Sequence, residues 1–445
     1  MMKLFGTDGI RGKAGAPPLI EETVTRVGAA LVRGRESSRH TMRVLVGRDT
    51  RESGDWIERA LARGLCGEGA EVTSAGVLPT PAVAYLTRTE RFDAGIVISA
   101  SHNPFEDNGI KVFSSSGEKL SELVERRVES IVADPSWSVG SQATVSYAHE
   151  NMSRPYLDHA RRILGDPGPL GGSPIVLDCA NGATAHIAPG FFRSLGFDVD
   201  TIGVAPDGRN INLNCGSTYL AALQQRVVAT GARIGVAFDG DGDRALFVDH
   251  RGRVVDGDAV LLMAADQLKR EGRLPGDAIV ATVMSNIGLE IALRERGISM
   301  ARCPVGDKYV VEEMQRRGLA LGGEQSGHVI FAAHLMTGDG IGTALQVLRI
   351  MDATGKELSE LASALVTYPQ VLLNVRVRER ADYMGVPAIA DCIRHVEGQV
   401  DGQGRVLIRY SGTEPLLRIM IEGKDDVQIK GWAEQIAESV RAHFA

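Results

Sequence analysis

Short apolar runs rich in Val, Ile and Ala alternate with longer segments of helical period along almost the whole chain, a pattern that predicts α/β layering. A first cycle predicts strand over 42–46, helix over 53–66, strand over 70–77, helix over 81–87 and strand over 94–99. A second repeats the order over 174–178, 184–195, 197–202, 218–228 and 233–238, and a third over 277–284, 287–296, 299–304, 308–316 and 319–322. After the last strand of each cycle comes a polar loop and then more β-like sequence. SASHNP precedes GIKVFSSSGEKL, DGDGDR precedes ALFVDHRGRVVDGD, and GEQSGH precedes VIF and a helical run over 340–351. Three loops at equivalent places predict internal repetition. They would fall at corresponding strand ends, where open α/β sheets hold their ligands.

From about Tyr368 the pattern changes to strand over 371–377, helix over 388–396, strands over 406–410 and 417–422, and a closing helix over 427–443. The expected fold is therefore three related α/β domains with mixed sheets plus a smaller C-terminal α+β domain, around one central cleft. The expected bounds are 1–152, 153–252, 253–367 and 368–445, with linkers near 149–155, 165–174, 251–258 and 367–369.

Composition narrows the function classes. At roughly 150 residues per domain, 445 residues suggest about three domains by length alone, so the fourth rests on the pattern. With 49 Lys and Arg against 56 Asp and Glu the net charge is −7, which argues against a nucleic-acid binder. Cys66, Cys179, Cys215, Cys303 and Cys392 are scattered and contain no C-x-x-C pair. They suggest neither a disulfide framework nor a structural zinc site, and point to a reducing cytoplasm. MMKLFGTDGIRG lacks the apolar core of a signal peptide, and runs such as 259–265 fall far short of the roughly 18 residues needed to span a bilayer. No membrane partner is expected.

Four loops carry candidate chemistry. Asp239, Asp241 and Asp243 alternate with Gly240 and Gly242 after the apolar run 234–238. Glycines let the backbone turn tightly enough for the carboxylates to converge, and converging carboxylates need a cation. A solvated acidic turn is the competing reading. An EF-hand is not, because its sixth position would need Gly and holds Arg244, and its twelfth would need Glu and holds His250. Arg244 fits an anion bridging to the metal.

Ser101 in SASHNP sits at a strand end beside a Pro-fixed turn, which suits a nucleophile or phosphoryl carrier, although an ordinary turn has the same composition. No G-x-S-x-G elbow is present. His102 is adjacent, but sequence neighbours diverge in direction, so no Ser/His pair is inferred. In the third loop, from Gly322 to His328, Glu324 and Ser326 are two apart and face one side, as a grip on adjacent sugar hydroxyls would require. A polar turn with a satisfied Glu is the alternative. The fourth loop combines Arg409, Ser411, Gly412, Thr413 and Arg418 into a phosphate cradle without P-loop or dinucleotide spacing. Phosphate without a nucleotide points to sugar phosphates.

Taken together and in this order, SASHNP, DGDGDR, GEQSGH and RYSGTEP resemble the α-D-phosphohexomutases over essentially the whole chain. The opening FGTDGIRG and the Gln325 of GEQSGH resemble the branch acting on glucosamine phosphates, since the mannose and glucose branches carry Met at that place. The resemblance implies interconversion of glucosamine 6-phosphate and glucosamine 1-phosphate through a phosphoserine at Ser101 and a 1,6-bisphosphate, feeding UDP-N-acetylglucosamine synthesis. It implies one Mg²⁺ held by the Ser101 phosphate with Asp239, Asp241 and Asp243. It places Arg11, Lys111 and Arg244 around the transferring group, with Lys111 as proton acceptor and His328 beside the reacting oxygen. Glu324 and Ser326 would bind sugar hydroxyls. Arg409, Ser411, Gly412, Thr413 and Arg418 would hold the non-reacting phosphate on a hinged C-terminal lid. Asp307 in PVGDK departs from the His of a relative. Three alternatives stay open: another phosphohexomutase of the superfamily, a Mg²⁺-dependent sugar phosphatase, and a non-catalytic binder of Ca²⁺ or sugar phosphate. Monomer and homodimer are equally compatible with the sequence.

Overall fold

In the computed structural model, which describes residues 4–35, 40–139, 148–400, 402, 404–411 and 415–444, the alternation resolves into four sheets. The first three share one strand order. Each places the second strand of its cycle parallel to the first, the first parallel to the third, and a fourth strand antiparallel beyond it. In the first sheet these are Glu71–Val77, Arg43–Arg48, Ala94–Ile98 and Asp107–Ser114. In the second they are Asp198–Ile202, Pro174–Asp178, Ile234–Phe238 and Ala245–Asp249. In the third they are Ser299–Cys303, Ala278–Thr282, Leu321–Gly323 and Val329–Phe331. The three polar loops are the connections from third to fourth strand in each sheet. The repetition read from the sequence is thus a repetition of topology.

The strands form where β-branched and small apolar residues run without interruption. Ala94–Ile98 and Ile234–Phe238 are buried along their whole length, as expected of strands covered on both faces. The first sheet is extended by a hairpin, Phe5–Gly6 with Gly9–Lys13, which pairs with Asp107–Ser114 and carries Asp8 and Arg11 to the serine loop.

Two helices start later than their apolar period suggests. Helix Ala188–Ser194 replaces the expected 184–195, because the chain before it turns through Ala180 and Asn181 at positive φ and donates from Ala183 N to the Gly240 carbonyl at 2.8 Å. That backbone serves the metal loop in place of a helix. Helix Ala221–Thr230 likewise begins three residues after the expected start. The expected linker 251–258 ends in an ordered N-cap: Asp256 accepts from Ala259 N at 3.1 Å and starts helix Gly257–Arg270.

The chain divides into two compact units, 1–284 with 298–363, and 285–297 with 364–445. In the second unit Gln370–Arg376, Leu416–Glu422 and Arg405–Tyr410 form an antiparallel sheet covered by helices Pro387–Val400 and Asp426–Phe444. Helix Ile287–Glu295, read from sequence as part of the third cycle, packs with this unit. The fully buried Glu422 accepts from Asn286 Nδ2 at 3.3 Å and Ile287 N at 3.2 Å, and pairs with Arg405. No helix among the described residues is long and apolar enough to cross a membrane.

Candidate active site

The first unit gathers Ser101, Asp239, Asp241, Asp243, Lys111, Arg11, Arg244, Glu324, Ser326 and His328, contributed by all three repeats. Ser101 has φ +52° and is 1% exposed, a left-handed conformation that is uncommon for residues other than glycine. It turns the hydroxyl back toward the second repeat, where Oγ donates to Asp239 Oδ2 at 2.5 Å. The same turn brings His102 Nδ1 within 3.3 Å of Oγ, so the two sequence neighbours do meet. Burial pushes the His102 imidazole down to about 4, and Arg244 and Arg11 act in the same direction.

Gly240 is required by close approach. A Cβ there would lie 2.5 Å from the Ser101 carbonyl oxygen, so any side chain would push the metal loop off the serine loop. Asp239, Asp241 and Asp243 are buried, and one carboxylate oxygen from each lies within 4.8 Å of the others. Asp241 Oδ1 and Asp243 Oδ1 have no hydrogen-bond partner. Orphaned buried carboxylate oxygens carry a large desolvation cost, and a hard set of oxygen donors fits a divalent cation. Burial holds Asp239 well above the usual carboxylate range, with Asp243 and Asp241 adding to it. For Asp243 burial acts upward, but Lys111 and His328 outweigh it and bring the carboxyl well below that range.

Lys111 is 1% exposed and lies 2.8 Å from Asp241, 3.1 Å from Asp243 and 3.2 Å from Asp8. Burial alone would lower its pKa, but the three carboxylates raise it well above the normal value. This arrangement makes Lys111 a fixed cation. Arg11 pairs with Asp8, and Arg244 N donates to Asp239 Oδ1 at 3.1 Å while its Nε faces Asp243 at 3.7 Å. His328 accepts from Gly338 N at Nε2, 3.0 Å away, and turns Nδ1 toward Asp243 Oδ1 at 3.7 Å. The structure places it against a carboxylate of the triad. Ser326 Oγ donates to Glu324 Oε2 at 3.4 Å, so these two side chains share a side as expected, and Gly306 N donates to Glu324 Oε1 at 3.2 Å.

Several neighbours were not singled out in the sequence. Thr80 fixes Asp241 twice, from Oγ1 to Oδ2 at 2.5 Å and from N to the carbonyl at 2.9 Å. Lys119 pairs with Asp8 and lies 2.5 Å from Asp307, which in turn lies 3.8 Å from His328. Asp307, the one noted departure, is thus a member of a charge network joining the first and third repeats. Asp8 lies within the FGTDGIRG segment, whereas nothing in the local sequence pattern marks Lys119.

In the second unit, Arg409 and Arg418 are cross-strand partners, and Ser411 Oγ accepts from Arg418 Nη2 at 3.4 Å. Arg380, unnoticed in the sequence, donates to the Ser411 carbonyl at 2.7 Å. Gly412 and Thr413 lie outside the described residues.

The comparisons agree with this geometry along the chain. Models of the phosphoglucomutase/phosphomannomutase family match its alpha/beta/alpha domains I, II and III at 2–138, 154–252 and 256–368, and its C-terminal domain at 372–439. The chain belongs to the phosphoglucomutase/phosphomannomutase family. Similar to this phosphohexomutase is a curated protein of Solibacter usitatus named phosphoglucosamine mutase, 51% identical over 98% of each chain. Another of that name, from Geotalea daltonii, is 47% identical over 100% of this chain and 99% of its own. Among solved structures, a phosphoglucomutase/phosphomannomutase family protein of Burkholderia thailandensis superposes with a TM-score of 0.80 at 26% identity, covering 99% of this chain and 97% of the other. For a member of this family, the buried Asp239, Asp241 and Asp243 are the residues that fit a divalent metal.

Proposed function

We propose that the protein interconverts glucosamine 6-phosphate and glucosamine 1-phosphate. The observation that carries the reading is the Ser101 hydroxyl 2.5 Å from Asp239, within a buried set of three carboxylates flanked by Lys111, Arg11 and Arg244. Full-length relatives named phosphoglucosamine mutase support the choice of sugar. Ser101, carrying a phosphoryl group, gives it to the free hydroxyl of the sugar phosphate. The resulting 1,6-bisphosphate turns over and returns its other phosphoryl to Ser101. Such transfers need positioning and neutralisation of charge more than covalent chemistry. Asp239, Asp241 and Asp243 would hold one Mg²⁺, which when bound offsets the negative charge of the transferring group. Lys111, Arg11 and Arg244 supply fixed positive charge, and Glu324 with Ser326 binds the sugar hydroxyls. Arg409, Ser411, Gly412, Thr413 and Arg418 hold the non-reacting phosphate.

The reading carries four domains, bounded as 1–152, 153–252, 253–367 and 368–445, and a cytoplasmic enzyme acting on small sugar phosphates without nucleic acid or membrane. A coupled assay comparing glucosamine, glucose and mannose phosphates tests it. Isomerised glucosamine phosphate as the preferred product is expected. Stoichiometric release of inorganic phosphate would instead identify a phosphatase, and a preference for glucose or mannose phosphate would reassign the branch.

A further inference from the structure

Arg51 is 1% exposed and has no part in the site as described above. Each of its five N–H groups has an acceptor. Nε donates to Asp49 Oδ2 at 2.8 Å, Nη1 to the carbonyls of Asp107 at 3.0 Å and of Pro104, and Nη2 to the carbonyls of Ser101 at 2.9 Å and Asn103 at 2.8 Å. Four of the five bonds therefore end on the serine loop or the strand that follows it. A planar guanidinium that gathers several carbonyls of one turn fixes its shape, which a lysine with a single nitrogen cannot do.

The circuit closes through Asp49. Its Oδ2 accepts from Ser99 Oγ at 2.6 Å, and Ser99 Oγ accepts from Ser101 N at 2.9 Å. One buried ion pair thus holds Ser101 from both sides, the carbonyl through Arg51 and the amide through Ser99. Asn212 Nδ2 adds a second donor to the same carbonyl at 2.9 Å. Ser101 needs this restraint, since a left-handed backbone is unfavourable for an L-residue. Relaxation of φ from +52° would swing Oγ away from Asp239.

The geometry points to Arg51 as the positioning residue of the phosphoryl carrier. It touches no substrate and acts by holding the Ser101 backbone in the conformation that aims Oγ at the triad. The inference rests on the phosphoryl-transfer reading of the site. In such a reaction, displacement of the attacking atom by about 1 Å costs about 10²-fold in rate.

The test compares Arg51→Lys and Ser99→Ala with the parent chain. It measures kcat and KM for the sugar phosphate, thermal melting, and the rate at which Ser101 takes up phosphate from glucose 1,6-bisphosphate, followed by intact mass. Folded Arg51→Lys is expected to lose about 100-fold in kcat and in phosphate uptake, with KM within about twofold of the parent. Ser99→Ala is expected to show the same split at about 10-fold. A folded Arg51→Lys with kcat within about threefold of the parent would overturn the assignment. So would activity that falls only in proportion to the folded fraction. Should Arg51→Lys fail to fold, Ser99→Ala decides by the same split. A parent that takes up phosphate without isomerising sugar phosphate would refute the mutase reading alone. The positioning role would then stand or fall on the uptake rates of the variants.

Discussion

Ser101 and Asp239 are 138 residues apart in sequence, yet the hydroxyl of one donates to the carboxylate of the other at 2.5 Å. The contact exists because two repeats place equivalent loops edge to edge and Gly240 leaves no Cβ between them.

Removing the Ser101 hydroxyl deletes the proposed phosphoryl carrier and little of the packing. Ser101→Ala should melt close to the parent and lose turnover by about 10⁴-fold or more. Kinetics and intact mass check this together, and near-normal mutase activity without a phosphoryl adduct would reject the serine mechanism.

The orphaned oxygens of Asp241 and Asp243 predict stabilisation by divalent cations. Melting temperature should rise with Mg²⁺, approaching about 2.7 kcal/mol of added stability at a hundredfold excess over Kd. Chelation should reverse it and stop turnover. Asp241→Asn should flatten the dependence, and a variant as responsive as the parent would place the metal elsewhere.

Lys111 is the cation shared by Asp8, Asp241 and Asp243. Lys111→Met leaves Asp241 without its ion-pair partner, while Asp8 keeps Arg11 and Lys119, and should destabilise the fold by about 3–5 kcal/mol, the cost of breaking a buried pair from one side. Added Mg²⁺ should raise its melting temperature more than the parent's. Equal melting of the two proteins in chelator would show that the charge is not needed.

Asp339 caps helix Gly340–Thr354, accepting from Gly342 N and from Tyr156 Oη, both at 2.8 Å. Burial nevertheless raises its carboxyl to about 6, against the lowering effect of these bonds. Because the folded value exceeds the unfolded 3.8, the folded state favours the protonated form. Its contribution to stability is therefore full below about pH 4 and is lost as pH rises through 6. Asp339→Asn keeps an N-capping oxygen and cannot ionise. Its stability relative to the parent should rise by at most about 3 kcal/mol between pH 4 and pH 7.5. Melting curves at those pH values check this, and a difference that does not change with pH would remove Asp339 as the titrating group.

The sequence shows the repeated strands because they are short, apolar and buried on both faces, as in Ile234–Phe238. It does not show Gly9–Lys13, whose five residues include two glycines and two cations. That strand forms through pairing with Asp107–Ser114 and not through its own pattern. The three aspartates are readable because they lie within five residues of one another. Thr80, Lys119 and Arg51 are not, because each matters only through partners that folding brings to it. Helix Ile287–Glu295 is legible as a helix from its period, whereas its contact with Glu422 is not, because that partner lies 135 residues further along the chain.

The strand order shared by three sheets also has a kinetic meaning. Each sheet can close from contacts within its own stretch of chain, whereas the serine and the triad meet only when separate repeats have docked. Pairings of long sequence separation form late because the entropy of closing the intervening chain must first be overcome. A chain with its first repeat complete and its second unformed therefore carries the serine but no acceptor for its hydroxyl.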